Sequence, residues 1–373
     1  MDKRAGPSTV LTADELVLPS VAAIRPYEPG KPIEEVEREL GVSSAVKLAS
    51  NENPVGPSPL ALEAIRRELA SLNRYPDGGS YFLRNKVAAR HGLSPQHIFL
   101  GSGSCEIINL LALLFLRPGL NALAADHSFV IYRLAAAAVG AALKSVALRE
   151  DFSHDLEAIA AAIDAQTALV FLDNPDNPTG TFYRRGQWRE FLKRVPQRVV
   201  IVADEAYFDF VRDPDYPDSL EDHDGARMLV TLRTFSKIFG LAGLRVGYAV
   251  ARPDIVRLLD KVRQPFNLTS LAQAAALAGM DDREHVEKTL KVNREGIAFL
   301  ERELRRLGLG FVPTQANFIL VEVGDGRAVF ERLMRRGVIV RPMDGYGFPR
   351  HVRISVGLEE ENRRLIEALS RVL

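Results

Sequence analysis

The sequence predicts an α/β fold: a large domain built on a mostly parallel sheet flanked by helices, followed by a smaller α+β domain. Three observations carry this. Between about residues 55 and 260, short apolar runs alternate with longer helical patterns, the order that βαβ units produce. One of those runs, "VVIVA", is continuously apolar, as a strand buried on both faces requires. The length, 373 residues, exceeds what one ordinary core holds, so two domains are the default.

Residues up to about 50 read as irregular. "IRPYEPGKP" contains Pro26, Pro29 and Pro32 and Gly30, which together break helix and strand alike. A short helix is expected at Pro32 to Leu40. Leu62, Ile65, Leu69 and Leu72 recur at helical spacing in "ALEAIRRELASL", and "NRYPDGGS" stops that helix. "HIFLGSG" is a strand running into glycines, and "CEIINLLALLFL" a largely buried helix. Strands at "NALAADHSF" (with its exit loop), "ALKSVAL", "TALVFLDNP", "RVVIVADEAY", "RMLVTLRTFSK" and "LRVGYAV" follow, with helices at Ile131 to Gly140, "DLEAIAAAI" and "RGQWREFLKRV". The alanines of Ala135 to Ala142 suit close helix packing. "VRQPFNLTSLAQAAALAG" opens a helical connection, and "EHVEKTLKVNREGIAFLERELRRLG" is one long amphipathic helix. The remainder reads as strand "GFVPTQANFILVEV", helix "GRAVFERLMRRG", strands "VIVRP" and "HVRISVG", and a final helix. The expected division is 1–54 for an N-terminal arm shared with the small domain, 55–260 for the large domain, and 261–373 for the interdomain helix and small domain.

Lys+Arg and Asp+Glu are both 48, giving a formal net charge of zero, so bulk attraction to nucleic acid or an acidic membrane is not expected. Cys105 is the single cysteine, which excludes an internal disulfide and a thiolate metal cluster and fits a reducing compartment. No metal site is expected. The longest greasy stretch, Ile107 to Leu116, falls short of the ~20 residues a membrane span needs, and the N-terminus lacks the pattern of a secretory signal. A cytoplasmic protein is expected.

In open α/β folds ligands bind outside the carboxyl ends of the strands, so the residues just after each strand are the candidates. Gly101 to Glu106 lead into a helix whose free N–H groups suit an anion, or simply make a tight turn. "DNPDNPTG" fixes a stiff loop that either presents Asn174 or Asn177 to a site or bonds its own backbone. Asp204 and Glu205, with Tyr207 beyond them, end a buried strand; such an acid needs a cationic or hydrogen-bonding partner, or caps a helix. Lys237 follows the next strand among glycines and apolar residues. It can satisfy the acid, contact phosphate or form a Schiff base with a carbonyl. Arg245 suits an anion in any of these cases, and Phe129 and Tyr132 offer a ring-sized apolar surface. An anion cradle, an acid, a tyrosine and a lysine together fit an aromatic cofactor that carries a phosphate and an aldehyde, as pyridoxal phosphate does.

The segments "KLASNENPVGPSP", "RYPDGGS", "DNPDNPTG", "VADEAYFDF", "LRTFSKIFGLAGLRVGY" and "QANFIL" occur in that order. With them the chain resembles, from "RPYEPG" to "VRISVG", the fold-type I, class II pyridoxal-phosphate-dependent aminotransferases, and within them the histidinol-phosphate aminotransferase family. The resemblance implies a seven-stranded sheet in the large domain and pyridoxal 5'-phosphate as cofactor. It implies transamination between L-histidinol phosphate and 2-oxoglutarate in histidine biosynthesis, by a homodimer with shared active sites. It implies that Lys237 bonds the cofactor aldehyde and acts as base, that Asp204 meets the pyridine nitrogen, and that Tyr207 and Asn177 share the 3-oxygen. Phe129 takes the place of the aromatic stacked on the ring. Ser104, Cys105, Ser236 and Arg245, supported by Thr234, form the phosphate cup, and Tyr75 reaches the phosphate from the other subunit. Arg353 and Arg341 are implied to grip the substrate's anionic end, while Tyr27, Asn53 and Asn317 line or close the site. Cys105 is a departure, since an acid is common there among relatives. The competing readings are an aromatic or broad-range amino-acid aminotransferase, a decarboxylase of a phosphorylated amino acid using the same cofactor, and, from another class, a non-catalytic cofactor-binding regulator. The last would bring a DNA-binding domain, for which the N-terminal arm is too short.

Overall fold

The computed structural model describes residues 12–26 and 30–373, so Tyr27, one of the expected site residues, lies outside the described residues. In chain order the strands are β1 (Val46–Lys47), β2 (Ile98–Gly101), β3 (Asn121–Ala125), β4 (Ala142–Val146), β5 (Thr167–Asp173), β6 (Val200–Asp204), β7 (Leu229–Thr234), β8 (Gly247–Ala251), β9 (Phe311–Val312), β10 (Phe318–Glu322), β11 (Val338–Ile339), β12 (Arg341–Pro342) and β13 (His351–Ser355).

Seven strands form one sheet in the order β2-β8-β7-β6-β5-β3-β4. Its pairs are parallel from β4 through β7, and β8 runs antiparallel to both β7 and β2. The mostly parallel sheet expected from the sequence is therefore present. Every residue of β3, β6 and β8 is buried, which explains their unbroken apolar runs. On one face pack the helices Gly103–Phe115, Ile131–Ala138 and Pro253–Val262, through Ile107, Leu111, Ala135 and Leu259. Each large aliphatic side chain buried there contributes ~1.5–3 kcal/mol. Helices Leu156–Ala161 and Arg185–Arg194 supply Ile159, Trp188 and Phe191 to a second cluster. A third cluster joins helices Pro59–Glu68, Tyr81–Arg90 and Ser270–Gly279 through Ala61, Val87 and Ala275.

The small sheet has the order β12-β13-β10-β9, antiparallel throughout. Helices Arg283–Arg306, Gly326–Met334 and Glu359–Ser370 cover it with Leu300, Leu304, Val329, Leu333, Leu365 and Leu369. Two runs read as single strands are split. "GFVPTQANFILVEV" turns back on itself, so that Val312 pairs with Leu320; Pro313 has no N–H for a ladder, and Thr314 Oγ1 accepts the Ala316 N–H at 2.9 Å. "VIVRP" divides between β11, which pairs parallel with β1, and β12, which pairs with β13. β1 lies in the segment read as irregular, and two residues are too few for a periodic signal. The small sheet packs against the loop after β4 through Val312, Leu320, Met343 and Phe348, which meet Leu148 and Phe152.

Candidate active site

Strand register brings the acids and the lysine loop to one edge of the large sheet. Asp173 ends β5 and Asp204 ends β6, paired in register; Thr234 ends β7, and Ser236 and Lys237 follow it. The helix beginning at Gly103 starts beside them. Gly103 has φ +74, and a Cβ there would lie 2.6 Å from Arg245 Nη2. A Cβ on Gly247 would lie 3.0 Å from Ser104 N. Glycine at both positions lets the helix start and Arg245 approach the strand tips closely.

These elements surround a cavity of 390 Å³. Of the expected site residues, Ser104, Cys105, Phe129, Asn177, Asp204, Tyr207, Thr234, Ser236, Lys237, Arg245 and Arg353 line it. Lys237 Nζ donates to Asn51 O at 3.1 Å and Ser50 O at 3.5 Å. Burial, reinforced by the guanidiniums of Arg353 and Arg245, lowers the Lys237 pKa to about 8. Asp204 is 3 % exposed. Its Oδ2 accepts the Tyr132 hydroxyl at 3.1 Å, while Oδ1 has no partner among the described residues. Burial raises Asp204 to about 6, against the hydrogen bond from Tyr132. Tyr207 accepts Asn51 Nδ2 at 2.9 Å, and burial holds its phenol above the ordinary range. Arg353 donates to Asn177 Oδ1 and, at 2.9 Å, to Ala49 O. Arg245 is exposed, with φ +52 and a 3.1 Å bond to Ala242 O.

Four expected residues stand elsewhere. Asn53 Nδ2 donates to Lys237 O at 3.2 Å, Ile238 O at 3.0 Å and Thr289 Oγ1 at 3.1 Å, which fixes the lysine loop from behind. Asn317 Nδ2 donates to Asn51 O at 3.1 Å, one layer behind the cavity wall. Arg341 is paired in register with Arg353 but does not line the cavity; its Nη1 would lie 3.8 Å from a Cβ on Gly30. Tyr75 is 82 % exposed and stacks on Phe266, with ring centroids 4.7 Å apart, outside the cavity of its own chain. Asn174 also turns away, accepting the Tyr183 N–H at 3.0 Å.

Sequence reasoning missed Asn51, Glu52, Asp173 and Tyr346, all of which line the cavity. Asp173 Oδ2 accepts the N–H groups of Phe129 at 3.3 Å and Asn177 at 3.1 Å, tying two cavity walls together. Behind it His154 Nε2 lies 3.2 Å from Asp176 Oδ1 and 3.6 Å from Asp173 Oδ1. Burial and the neighbouring Asp176 raise Asp173 well above the carboxylate range. The strand-tip rule that singled out Asp204 applies equally to Asp173. Tyr132, read as apolar surface, also supplies the hydroxyl that holds Asp204.

The family model for aminotransferase class I and II matches residues 43–369. Histidinol-phosphate aminotransferase 2 of Pseudomonas aeruginosa is 48% identical over 361 residues, covering 96% of this chain and 98% of the relative. This chain belongs to the class I and II aminotransferases, in the histidinol-phosphate aminotransferase family. A histidinol-phosphate aminotransferase of an Anaeromyxobacter species is 48% identical to this aminotransferase, covering 96% of this chain and 99% of the relative. Among solved structures, histidinol-phosphate aminotransferase from Sinorhizobium meliloti in complex with pyridoxal-5'-phosphate superposes with a TM-score of 0.87 at 27% identity, covering 98% of each chain. Among the described residues of this aminotransferase, no helix is long and apolar enough to cross a membrane.

Proposed function

We propose that this aminotransferase transfers the amino group of L-histidinol phosphate to 2-oxoglutarate, giving imidazole acetol phosphate and L-glutamate in histidine biosynthesis, with pyridoxal 5'-phosphate as cofactor. The observation that carries the reading is one cavity holding both Lys237 Nζ and a buried Asp204 whose Oδ1 has no partner among the described residues. A carboxylate oxygen sealed from water is costly unless a donor meets it, and a protonated pyridine nitrogen is a cationic donor. The helix start and Arg245 fit the phosphate of the same molecule. The names of the relatives select the amino donor.

When bound, the cofactor supplies an aldehyde for amines and a ring that accepts the electron pair left at the donor's α-carbon. Asp204 would hold the proton on the ring nitrogen, Tyr207 and Asn177 the 3-oxygen, and Phe129 the ring face. Ser104, Cys105, Thr234, Ser236 and Arg245 would hold the phosphate. Lys237, in the neutral form that its lowered pKa favours, takes the proton leaving the α-carbon. Arg353 orients the anionic end of donor and acceptor, because its planar donors match phosphate and carboxylate alike; Arg341, paired with it in register, adds positive charge behind it, and Tyr27 lines or closes the site. Asn53 and Asn317 serve by fixing Lys237 and Asn51. The reading includes a cytoplasmic homodimer in which Tyr75 completes the partner's site. The neighbouring exposed aromatics Tyr81, Phe82 and Phe266 support a covered face there. It also keeps the division at 1–54, 55–260 and 261–373.

The test is a single-turnover donor panel on the cofactor-loaded enzyme: histidinol phosphate, phenylalanine, tyrosine and histidine. Histidinol phosphate is expected to discharge the cofactor fastest. Faster discharge by phenylalanine would reassign the donor and leave the reaction class standing.

A further inference from the structure

We propose that Glu52 is the donor-specificity residue of this cavity, the carboxylate that accepts a ring N–H from the imidazole of histidinol phosphate. The inference rests on the donor reading above and adds the group that recognises the ring.

The cavity carries both signs of charge: Lys237, Arg245 and Arg353 line it together with three carboxylates, Glu52, Asp173 and Asp204. Asp173 and Asp204 are buried at adjacent strand tips. Glu52 differs from both, because its side chain is 48 % exposed and so stands where an entering molecule meets it. Lys47 Nζ holds Glu52 Oε1 at 3.0 Å, and Oε2 has no hydrogen-bond partner among the described residues.

Glu52 is also mounted rigidly. On one side Asn51 N and Oδ1 bond Ser355 Oγ at 2.8 and 3.0 Å, and Asn51 O receives Lys237. On the other side Asn53 bonds the carbonyls of Lys237 and Ile238. The residue between two such anchors is fixed relative to the reacting lysine, which is what discrimination at a substrate atom requires.

The donor carries complementary charge. Its phosphate is drawn to Arg353 and repelled by Glu52, which sends the other end, the imidazole, toward the carboxylate. Imidazole presents an N–H whether neutral or protonated. An aromatic donor with no ring N–H would instead cover Glu52 without satisfying it. A simpler role, surface partner of Lys47, predicts no difference between donors, since an exposed ion pair is screened by solvent and touches no substrate atom.

The experiment compares wild type, Glu52→Ala and Glu52→Gln as cofactor-loaded enzymes. Three amino donors are used: L-histidinol phosphate, L-phenylalaninol phosphate, which keeps the phosphate and lacks the ring nitrogens, and L-glutamate. Glu52→Ala is expected to lower kcat/KM for histidinol phosphate about 10- to 100-fold, mainly through KM, the range of a hydrogen bond to a charged group. The other two donors should change less than about twofold, and Glu52→Gln, a neutral acceptor, should fall between wild type and Glu52→Ala. An equal loss on all three donors would mean a structural role and overturn the proposal, as would an unchanged histidinol phosphate rate or a Glu52→Gln no better than Glu52→Ala. If wild type itself prefers phenylalaninol phosphate, the donor reading falls and the subsite with it. If wild type prefers histidinol phosphate and Glu52→Ala keeps that preference, the Glu52 assignment alone falls.

Discussion

Two walls of the same cavity are built by different means. The sheet-tip wall is local: Asp173, Asp204 and Thr234 end three neighbouring strands, and Lys237 stands three residues beyond the last. The facing wall is assembled across the chain. Asn51 bonds Ser355, and Arg353 bonds Ala49, in each case over a separation of 304 residues. Register fixes the first wall once the large sheet forms, whereas the second exists only when β13 and the Ala49–Asn53 segment have met. Substitutions in the sheet-tip wall should therefore change chemistry with the fold intact, and those in the facing wall should change geometry and electrostatics together.

The largest effect is expected at Lys237. Lys237→Ala should lower transamination by at least about 10²–10⁴-fold, the share of one positioned general base. Borohydride reduction of the cofactor-loaded wild type should label Lys237, and the variant should take up no label. Because the residue acts at a local wall, the variant's unfolding temperature should stay near that of wild type. A large drop would blur the distinction between the two walls.

Asp204 offers a sharper form of the same contrast, since its cost to the cofactor-free protein can be read as stability. Its folded pKa of about 6 exceeds the ordinary 3.8. A carboxyl whose pKa is raised on folding stabilises the protein while protonated, and that stability is lost as pH rises from about 4 through about 6. Asp204→Asn removes the titration. In cofactor-free protein the variant should gain on wild type by up to about 3 kcal/mol above pH 7, the equivalent of the shift at 1.36 kcal/mol per unit. Near pH 4 the two should be alike. Denaturant melts at both pH values check it, and an equal difference at both would refute burial as the cause.

Arg353 tests the facing wall. Arg353→Gln removes the bonds to Asn177 and Ala49 and should lower donor kcat/KM about 10- to 100-fold, the range of a hydrogen bond to a charged group. It should also act at a distance. Arg353 helps hold Lys237 at about 8, so its loss should move that pKa upward. Only the neutral amine attacks an aldehyde, so cofactor capture rises with pH through the lysine pKa. In the variant that rise should shift to higher pH, as stopped-flow absorbance against pH would reveal. An unmoved inflection would mean that the guanidinium is not felt at Lys237.

The same contrast explains what was legible in the sequence. The seven-stranded sheet and its polar tips follow a local rule, so Asp204 and Lys237 could be singled out from the ends of "VVIVA" and "MLVTL". The facing wall obeys no local rule. In "NENP" the sequence does not say which residue turns inward; Asn51, with φ +53, lines the cavity while Asn53 ties the lysine loop from outside. Tyr346 lines the cavity because the carbonyl of its 3-10 turn accepts His127 from the large sheet's edge, a contact no pattern announces. Asp173 is the exception, since it obeys the local rule and was hidden among the asparagines and prolines of its loop.

Cys105 should give the smallest effect, and it separates location from use. It sits in the first turn of the Gly103–Phe115 helix and lines the cavity. By the strand-tip rule it is as well placed as Ser104. Its chemistry differs, because burial pushes the thiol pKa up, against the pull of Arg245, and the thiolate is the nucleophilic form. What the position contributes to an anion is therefore its backbone N–H, which any side chain leaves in place. Cys105→Ser should keep kcat/KM and cofactor affinity within about twofold of wild type, since the backbone N–H is retained and the two side chains are close in size. A tenfold loss would mean that the sulfur itself touches the reacting groups, and that a residue on the local wall can owe its role to its side chain rather than to the strand that carries it.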